Sequence, residues 1–443
     1  MKARIYITLL MTVALCTGAK AQKAWNIDRC MAYAVNHCSS VKIQKADTHQ
    51  ADINYKTAVA AFLPTLSAAV STQYSWGRNI NPATNTYNNV TTFNNYYELY
   101  ASIPLFDGMQ TINTLKQARL AKRRAQTATE KIQDDKAIEV MTRYADAAYA
   151  HASIALAEEK LSDSRRLLTK TQRLFELGER SKPDVAAIEA QVAEDDCNLT
   201  HQQSVARQTL FTLKTAMNFP MEDTLEIEDG DKETGNNDYL LTDTSFLSSH
   251  LNAELPELLT AKAKTNDAHY AYIIQRGAMM PKLTLNGAIT TNYYKNLSQG
   301  GSAESFRSQW NNNCGEYIYL TLSIPIFTPS QWRNMKQART NWEKAQIEQD
   351  DTRRKVSDSF IQAEMDCADY AKEIMQLRRK VSADSLAHHL NTRKFEEGML
   401  STFDLHTSAQ TLLESRIKLL QIRMLLIIKN RLVEYYKGRQ SWT

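Results

Sequence analysis

Two carboxylates stand in the same setting: Phe175-x-x-Gly178-x-x-Ser181-x-x-Asp184 and Phe395-x-x-Gly398-x-x-Ser401-x-x-Asp404. A glycine suits the end of one helix, and a serine three residues before an acid suits the start of the next, where the helix dipole favours negative charge. His388-His389 is an isolated pair on a helical stretch, which fits a solvated or core position better than a metal site. Downstream of residue 21 the cysteines are Cys30, Cys38, Cys197, Cys314 and Cys367, an odd and scattered set that does not read as a disulfide framework. Cys30 and Cys38 on one helix would lie about 12 Å apart, beyond disulfide reach. Most of the five are expected to be buried small apolar residues. The sequence has no phosphate loop, no His-Glu-x-x-His, no Cys-x-x-Cys and no nucleophile elbow, so nothing calls for a cofactor, a metal or catalysis.

The elements that carry these residues must be long. Only 13 Gly and 9 Pro punctuate 443 residues, and Ala, Glu, Gln, Lys, Arg and Leu dominate wide stretches. A net charge of +4, with no basic face interleaved with aromatics, argues against nucleic acid as a partner. At the start, Lys2 and Arg4 precede an apolar run at 5–16 and a small-x-small site at Ala19-Lys20-Ala21, which reads as a signal peptide over 1–21. That run is too short for a membrane-spanning helix, and no later stretch offers 18 apolar residues. Leu15 before Cys16 makes a lipidation site a poor fit.

Landmarks recur in order. Pro64 of Leu63-Pro64-x-Leu66 matches Pro281 of Met280-Pro281-x-Leu283 at an offset of 217, while SIPLF at 102–106 matches SIPIF at 323–327 at 221. KQAR at 116–119 and 336–339, and the two Asp motifs, repeat at 220. The chain is therefore two copies of one unit, 22–230 and 231–443, joined near the acidic stretch 228–238. Each copy predicts a helix (about 27–61 and 254–279), two strands around a polar loop (about 77–94 and 296–313), a very long helix (about 109–177 and 330–396), a glycine turn, and a last helix (about 182–217 and 402–437).

The strands alternate. Leu66, Ala68, Val70, Thr72, Tyr74 and Trp76 share one face, as do Tyr97, Leu99, Ala101, Ile103 and Leu105. Leu283, Leu285, Ile289 and Tyr293, and Ile318, Leu320, Leu322, Ile324 and Ile326, form the corresponding faces of the second copy. Two environments fit: a soluble hairpin packed on helices, or transmembrane barrel strands with lipid on one side and water on the other. Export, aromatic clustering near the loops and long polar loops point to the second. Since closed barrels begin at about eight strands, four strands per chain require a barrel shared between copies. Pro104 and Pro325 lack the N–H of a continuing ladder and are expected to mark where each strand pair passes into its long helix. Each of those helices would be roughly 100 Å long. Their partners must be other rods, met along a seam such as Ile138, Met141, Ala145, Ala148 and Ala152.

The doubled LP-x-L, S-I-P-[LI]-F and F-x-x-G-x-x-S-x-x-D patterns, in this order and behind a signal peptide, resemble the outer-membrane efflux proteins of the TolC type. The resemblance implies a homotrimer located in the cell outer membrane with a long periplasmic extension. Its fold class would be mixed: mostly long α-helices forming a coiled-coil-like tunnel (107–217 and 328–437), with strands at 65–106 and 282–327 in a shared twelve-stranded β-barrel. An equatorial region would come from 219–250 and the C-terminus. The partners it implies are outer-membrane lipid, a periplasmic membrane-fusion adaptor and an inner-membrane pump of the RND or ABC type, which supply the energy, so that the chain is a passive conduit and not an enzyme. A periplasmic coiled-coil scaffold or adaptor without a pore is the alternative. By resemblance the hairpin tips, with Gly178, Ser181, Gly398 and Ser401, meet the adaptor and close the periplasmic entrance. Asp404 would then form a ring of carboxylates that selects cations, with Asp184 taking part in the gate. Thr407 stands where the family has a second acid. Phe395 and Leu400 stand where the family has a Tyr and an Arg that latch the first Asp, so Asp184 is expected to lack that latch.

Overall fold

A computed structural model of the protein describes residues 24–81, 85–228, 254–298 and 304–438. The signal peptide at 1–21 and nearly all of the acidic joint lie outside the described residues. The chain forms two compact units: one from Ala46–Thr127 with Leu258–Thr352, the other from Met1–Lys45, Ala128–Glu257 and Arg353–Thr443. In order, the elements are α1 (Ile27–His37), α2 (Ser39–Ala60), β1 (Thr65–Asn81), β2 (Thr86–Phe106), α3 (Gln110–Glu176), α4 (Lys182–Met217), α5 (Pro256–Gly277), β3 (Lys282–Asn296), α6 (Phe306–Asn312), β4 (Gly315–Ser323), α7 (Pro329–Glu396) and α8 (Thr402–Tyr436). No helix among the described residues is long and apolar enough to cross a membrane.

In the first unit one antiparallel sheet runs β1-β2-β3-β4, so strands of the two sequence repeats pair with each other. Register turns the four separate alternations into one surface. Leu66 faces Ala101 and Ala68 faces Leu99; Leu99 in turn faces Ile289, Ile103 faces Leu285, and Leu285 faces Leu320. Directly paired residues share a face, so all the apolar sets lie on one side. They are open to the surroundings: Leu66 is 70% exposed, Ile318 79% and Leu320 57%. The opposite face is polar and internally bonded. Tyr100 and Ser102 hydroxyls donate to Asn286 Oδ1 at 2.6 and 2.9 Å, and Asn286 Nδ2 contacts Thr321 Oγ1 at 3.1 Å. A soluble sheet would cover its apolar face with helices; this sheet bonds its polar face internally around Asn286 and leaves most of the apolar face open, with only the short α6 lying against its loop end. Strands β1 and β4 each have one unpaired edge.

Three details of the sheet unit differ from the sequence expectation. The Asn- and Thr-rich stretch 77–94 is mostly strand, because β1 and β2 stay in register from Thr65–Ser102 to Asn81–Thr86. The second polar loop holds the short helix α6, capped by Ser305, whose hydroxyl accepts the Ser308 N–H. Pro104 does not end β2: it remains in the ladder opposite Thr284, next to a register shift before Phe106, where a missing N–H is tolerated. Pro325 lies two residues past the end of β4.

The second unit is helical. The helix expected over 27–61 is broken at Cys38, which has extended backbone (φ −65°, ψ 137°) and whose carbonyl accepts the Lys42 N–H as α2 begins. Along α3 the buried stripe includes Ala137, Val140, Met141, Tyr144, Ala145 and Ala148, with Ile138 and Ala152 at its margins. Alanine at these positions lets helices approach closely. Cys30 and Cys38 are buried and Cys367 is half-buried, its thiol pushed up to about 12 by burial. Cys197 and Cys314 are exposed, so the expected burial does not extend to these two.

A polar trio, buried in the first hairpin and partly exposed in the second, relates the two hairpins. In α3–α4, Lys160 pairs with Asp195 at 3.0 Å, and Ser164 also donates to Asp195, whose side chain is 1% exposed. At the equivalent positions in α7–α8, burial raises the Asp384 pKa, but its pair with Lys380 at 2.6 Å, helped by the neighbouring Ser415 hydroxyl, holds it below the usual range. The acid and the serine have exchanged helices, and the interaction is kept.

Candidate functional site

The sequence singles out the two hairpin tips, and both lie in the helical unit. At the first, the Gly178 N–H donates to Phe175 O (2.9 Å) and the Glu179 N–H to Leu174 O (2.9 Å), with Gly178 at φ +80°. At the second, Gly398 donates to Phe395 O (3.0 Å) and Met399 to Lys394 O (2.8 Å), with Gly398 at φ +77°. This is the helix-ending pattern that needs a left-handed residue. A Cβ at either glycine would meet open space, so the constraint is backbone conformation and not crowding.

Each aspartate closes the start of its second helix. Asp184 Oδ2 accepts from the Ser181 N–H (3.1 Å) and hydroxyl (2.6 Å), and the Ser181 hydroxyl holds its carboxyl below the usual range. The Asp404 N–H donates to Ser401 Oγ (3.1 Å), and the Ser401 hydroxyl returns a bond to Asp404 Oδ2 (2.7 Å). Asp404 is exposed and Asp184 half-buried. Thr407, also exposed, is turned back on its own helix, its hydroxyl donating to Phe403 O (2.9 Å).

Phe395 is the anchor of the region. It is 1% exposed, in a cluster with Ile188 of α4 and Leu405 of α8, flanked by Leu167, Leu168 and Leu400. Arg180, from the other tip, lies with its guanidinium 4.4 Å from the Phe395 ring centroid and donates to the Phe395 carbonyl. Further ties join the two hairpins: Lys170–Glu396 at 2.9 Å, Lys160 to Gln410 at 2.8 Å, and Arg416 Nη1 to both Glu159 carboxylate oxygens at 2.9 Å. Between the ties is a cleft of about 1100 Å³, with Lys160, Asp163, His388, His389, His406 and Arg416 among its walls. His388 Nδ1 lies 3.0 Å from Ser408 Oγ, and burial lowers the pKa of its ring. No group of three or more His, Cys, Asp or Glu among the described residues could hold a metal ion.

Sequence reasoning located Phe395, Leu400, both aspartates and both tips, but missed Arg180 and Ile188. Arg180 stands in the first repeat where Leu400 stands in the second. An alignment of the repeats against each other places an arginine in one tip only, which was the available signal.

The sequence profile of the outer membrane efflux protein family matches twice, over residues 36–218 and 247–433. The chain belongs to that family. By sequence comparison, no curated protein matches it. By fold it is similar to CusC, a transmembrane channel protein (TM-score 0.79, 14% identity, covering 94% of this chain and 92% of that one). It is also similar to the outer membrane protein VceC of Vibrio cholerae (TM-score 0.77, 14% identity, 93% and 96%). A third similar structure is the open state of the MtrE outer membrane channel of Neisseria gonorrhoeae (TM-score 0.73, 15% identity, 94% and 91%). The two family segments coincide with the two sequence repeats, and family and fold together make the chain an outer-membrane channel that serves as an exit duct for efflux. Channels of this family act together with adaptor and pump partners.

Proposed function

We propose that three copies of the chain close one barrel of twelve strands and one helical tunnel, and that the tips of α3–α4 and α7–α8 gate the tunnel. The observation that carries this reading is the sheet itself. Its apolar face is open below α6, its polar face carries a hydrogen-bonded network around Asn286, and its two edge strands lack partners, which a neighbouring copy at each edge would supply. A scaffold without a pore leaves both the apolar face and the edges unexplained.

In this reading Asp404 of the three copies rings the periplasmic entrance, attracting cations and resisting closure by like-charge repulsion. Asp184 is committed to its own helix start, and the resting contact between the tips is made by Arg180 on Phe395. A periplasmic membrane-fusion adaptor docks at the turns around Gly178, Ser181, Gly398 and Ser401 and separates them, while an RND- or ABC-type inner-membrane pump supplies the energy. The chain contributes passage and no catalytic step. Pro104 and Pro325 border the passage from barrel to tunnel. The test is planar-bilayer recording of the detergent-extracted protein: Asp404→Ala is expected to reduce cation preference, and unchanged selectivity would remove Asp404 from the gate.

A further inference from the structure

The upper part of β3 outlasts β4. Strand β4 pairs with β3 only from Lys282–Ser323 to Thr290–Gly315, yet β3 runs on to Asn296. Helix α6 takes the place of the missing strand. The Tyr294 N–H donates to Gln309 Oε1 (2.8 Å) and Gln309 Nε2 donates back to Tyr294 O (2.9 Å), so one buried glutamine side chain imitates the two bonds of a ladder pair. Asn313 Nδ2 donates to Asn292 O (2.9 Å) and the Thr291 hydroxyl to Trp310 O (3.0 Å). The helix is thereby fixed to the sheet.

Fixed this way, α6 lays Phe306 and Trp310, one turn apart, over the apolar face. Trp310 packs on Tyr97 at 4.9 Å and Phe306 on Tyr293 at 5.7 Å, and the row continues through Phe93 to Tyr74 at 6.3 and 4.9 Å. Below this row, toward the end of the sheet where α2, α3, α5 and α7 attach, the face is aliphatic apart from Glu316, which stands in register with Ile289 directly beneath the aromatics. At and beyond it stand three exposed cations: Lys295, in register with Phe93 on the same face; Arg78, over the Tyr87 ring at 5.3 Å; and Arg307, beside Phe306 on α6. The acids in this region are Glu304, which accepts from the Ser308 hydroxyl at 3.3 Å, and Glu316 at the start of β4.

Aliphatic face, then an aromatic row, then cations is the sequence of environments from acyl chains through the interface to the headgroups. We infer that α6 and the adjoining strand ends form a binding site for the phosphorylated headgroup of an outer-leaflet glycolipid, with Lys295, Arg307 and Arg78 engaging its phosphates. This rests on the outer-membrane duct reading: the helices attach at one end of the sheet and extend into the periplasm, so the α6 end meets the outer leaflet. At that depth the phosphate–cation bonds are charge-assisted and only partly screened.

Native mass spectrometry of the full mature protein, released from detergent in the presence of defined lipids, tests it. Bis-phosphorylated lipid A is expected to remain bound at least about tenfold better than its fully dephosphorylated form or phosphatidylglycerol, a difference of about 1.4 kcal/mol. Lys295→Gln, Arg307→Gln and Arg78→Gln combined should abolish that preference, while Lys282→Gln, at the other end of the sheet, should leave it intact. Equal binding of the two lipid A forms, or a preference kept by the triple variant, would overturn the inference. Single-channel conductance of the triple variant is expected to match the parent; a lost channel with the lipid preference retained would fault the duct reading and not the site.

Discussion

The two hairpin tips share a motif and differ in what its phenylalanine does. Phe175 is 44% exposed at the end of α3, whereas Phe395, at the same place in α7, is 1% exposed and capped by Arg180. The turns and glycines of the two tips are alike, and each is followed by a serine–aspartate cap, so local sequence builds both in nearly the same way. The difference lies in what each tip offers the other: the first supplies Arg180 and Ile188, and the second supplies the ring that receives them. A repeat within one chain has thus become a donor and an acceptor.

The largest effect should come from the buried trio. Asp195→Ser leaves Lys160 half of a buried pair and is expected to destabilise the first hairpin by about 3–5 kcal/mol. Ser164→Asp on top of it recreates the arrangement of the second hairpin and should recover most of the loss in urea unfolding. If it recovers nothing, the two trios are not equivalent. Next, Phe395→Ala should cost about 3 kcal/mol and raise the leak conductance. Phe175→Ala, at an exposed surface position, should stay within about 0.5 kcal/mol of the parent. Equal losses at the two positions would erase the distinction between the tips.

A smaller, pH-dependent difference is expected because His388 has Leu168 as its counterpart in the first hairpin. Burial lowers the His388 pKa, so the folded state favours the neutral ring. Its contribution is full above the ordinary imidazole value of about 6.5 and is lost as pH falls through the lower folded value. The charged groups that face it act in both directions: Asp163 favours the cation, while Arg416, His389 and Lys160 oppose it. Thermal unfolding between pH 7.5 and 5 should show a loss that His388→Gln reduces. A modest effect, second only to the near-neutral Phe175→Ala in smallness, is expected of Arg180→Leu, which gives the first tip the residue of the second. It removes a cation–ring contact worth about 0.5–1 kcal/mol together with the guanidinium bond to the Phe395 carbonyl, and should shift the closed-to-open ratio toward open.

Much of this architecture is legible in the sequence because its signals are long. Two helices of 67 and 68 residues, bounded by Gly178 and Gly398, follow from composition and spacing alone. The single apolar face of the sheet is half-legible: alternation gives each strand two faces, but only register shows that Leu66, Leu99, Ile289 and Leu320 share one side. The extension of β1 and β2 through 77–94 was hidden because Asn and Thr favour turns locally, and here pairing with the neighbouring strand overrides that preference. Helix α6 was readable from Ser305 followed by Phe306 and Trp310 one turn apart, but seven residues are too few to establish a period. At the tips, motif reading finds the aspartates and misses Arg180, since its partner is a ring and a carbonyl 215 residues away.

The central claim is that the open edges β1 and β4 are closed by neighbouring copies. Cysteines placed one at a time along β1 from Ser67 to Gln73, each combined with Thr321→Cys in β4 and with the native cysteines replaced by serine, test it by oxidation in intact outer membranes. At the matching register, denaturing gels should show disulfide-linked species that end at three chains. Monomer alone at every position, or crosslinks that continue beyond three chains, would contradict a barrel shared by three copies.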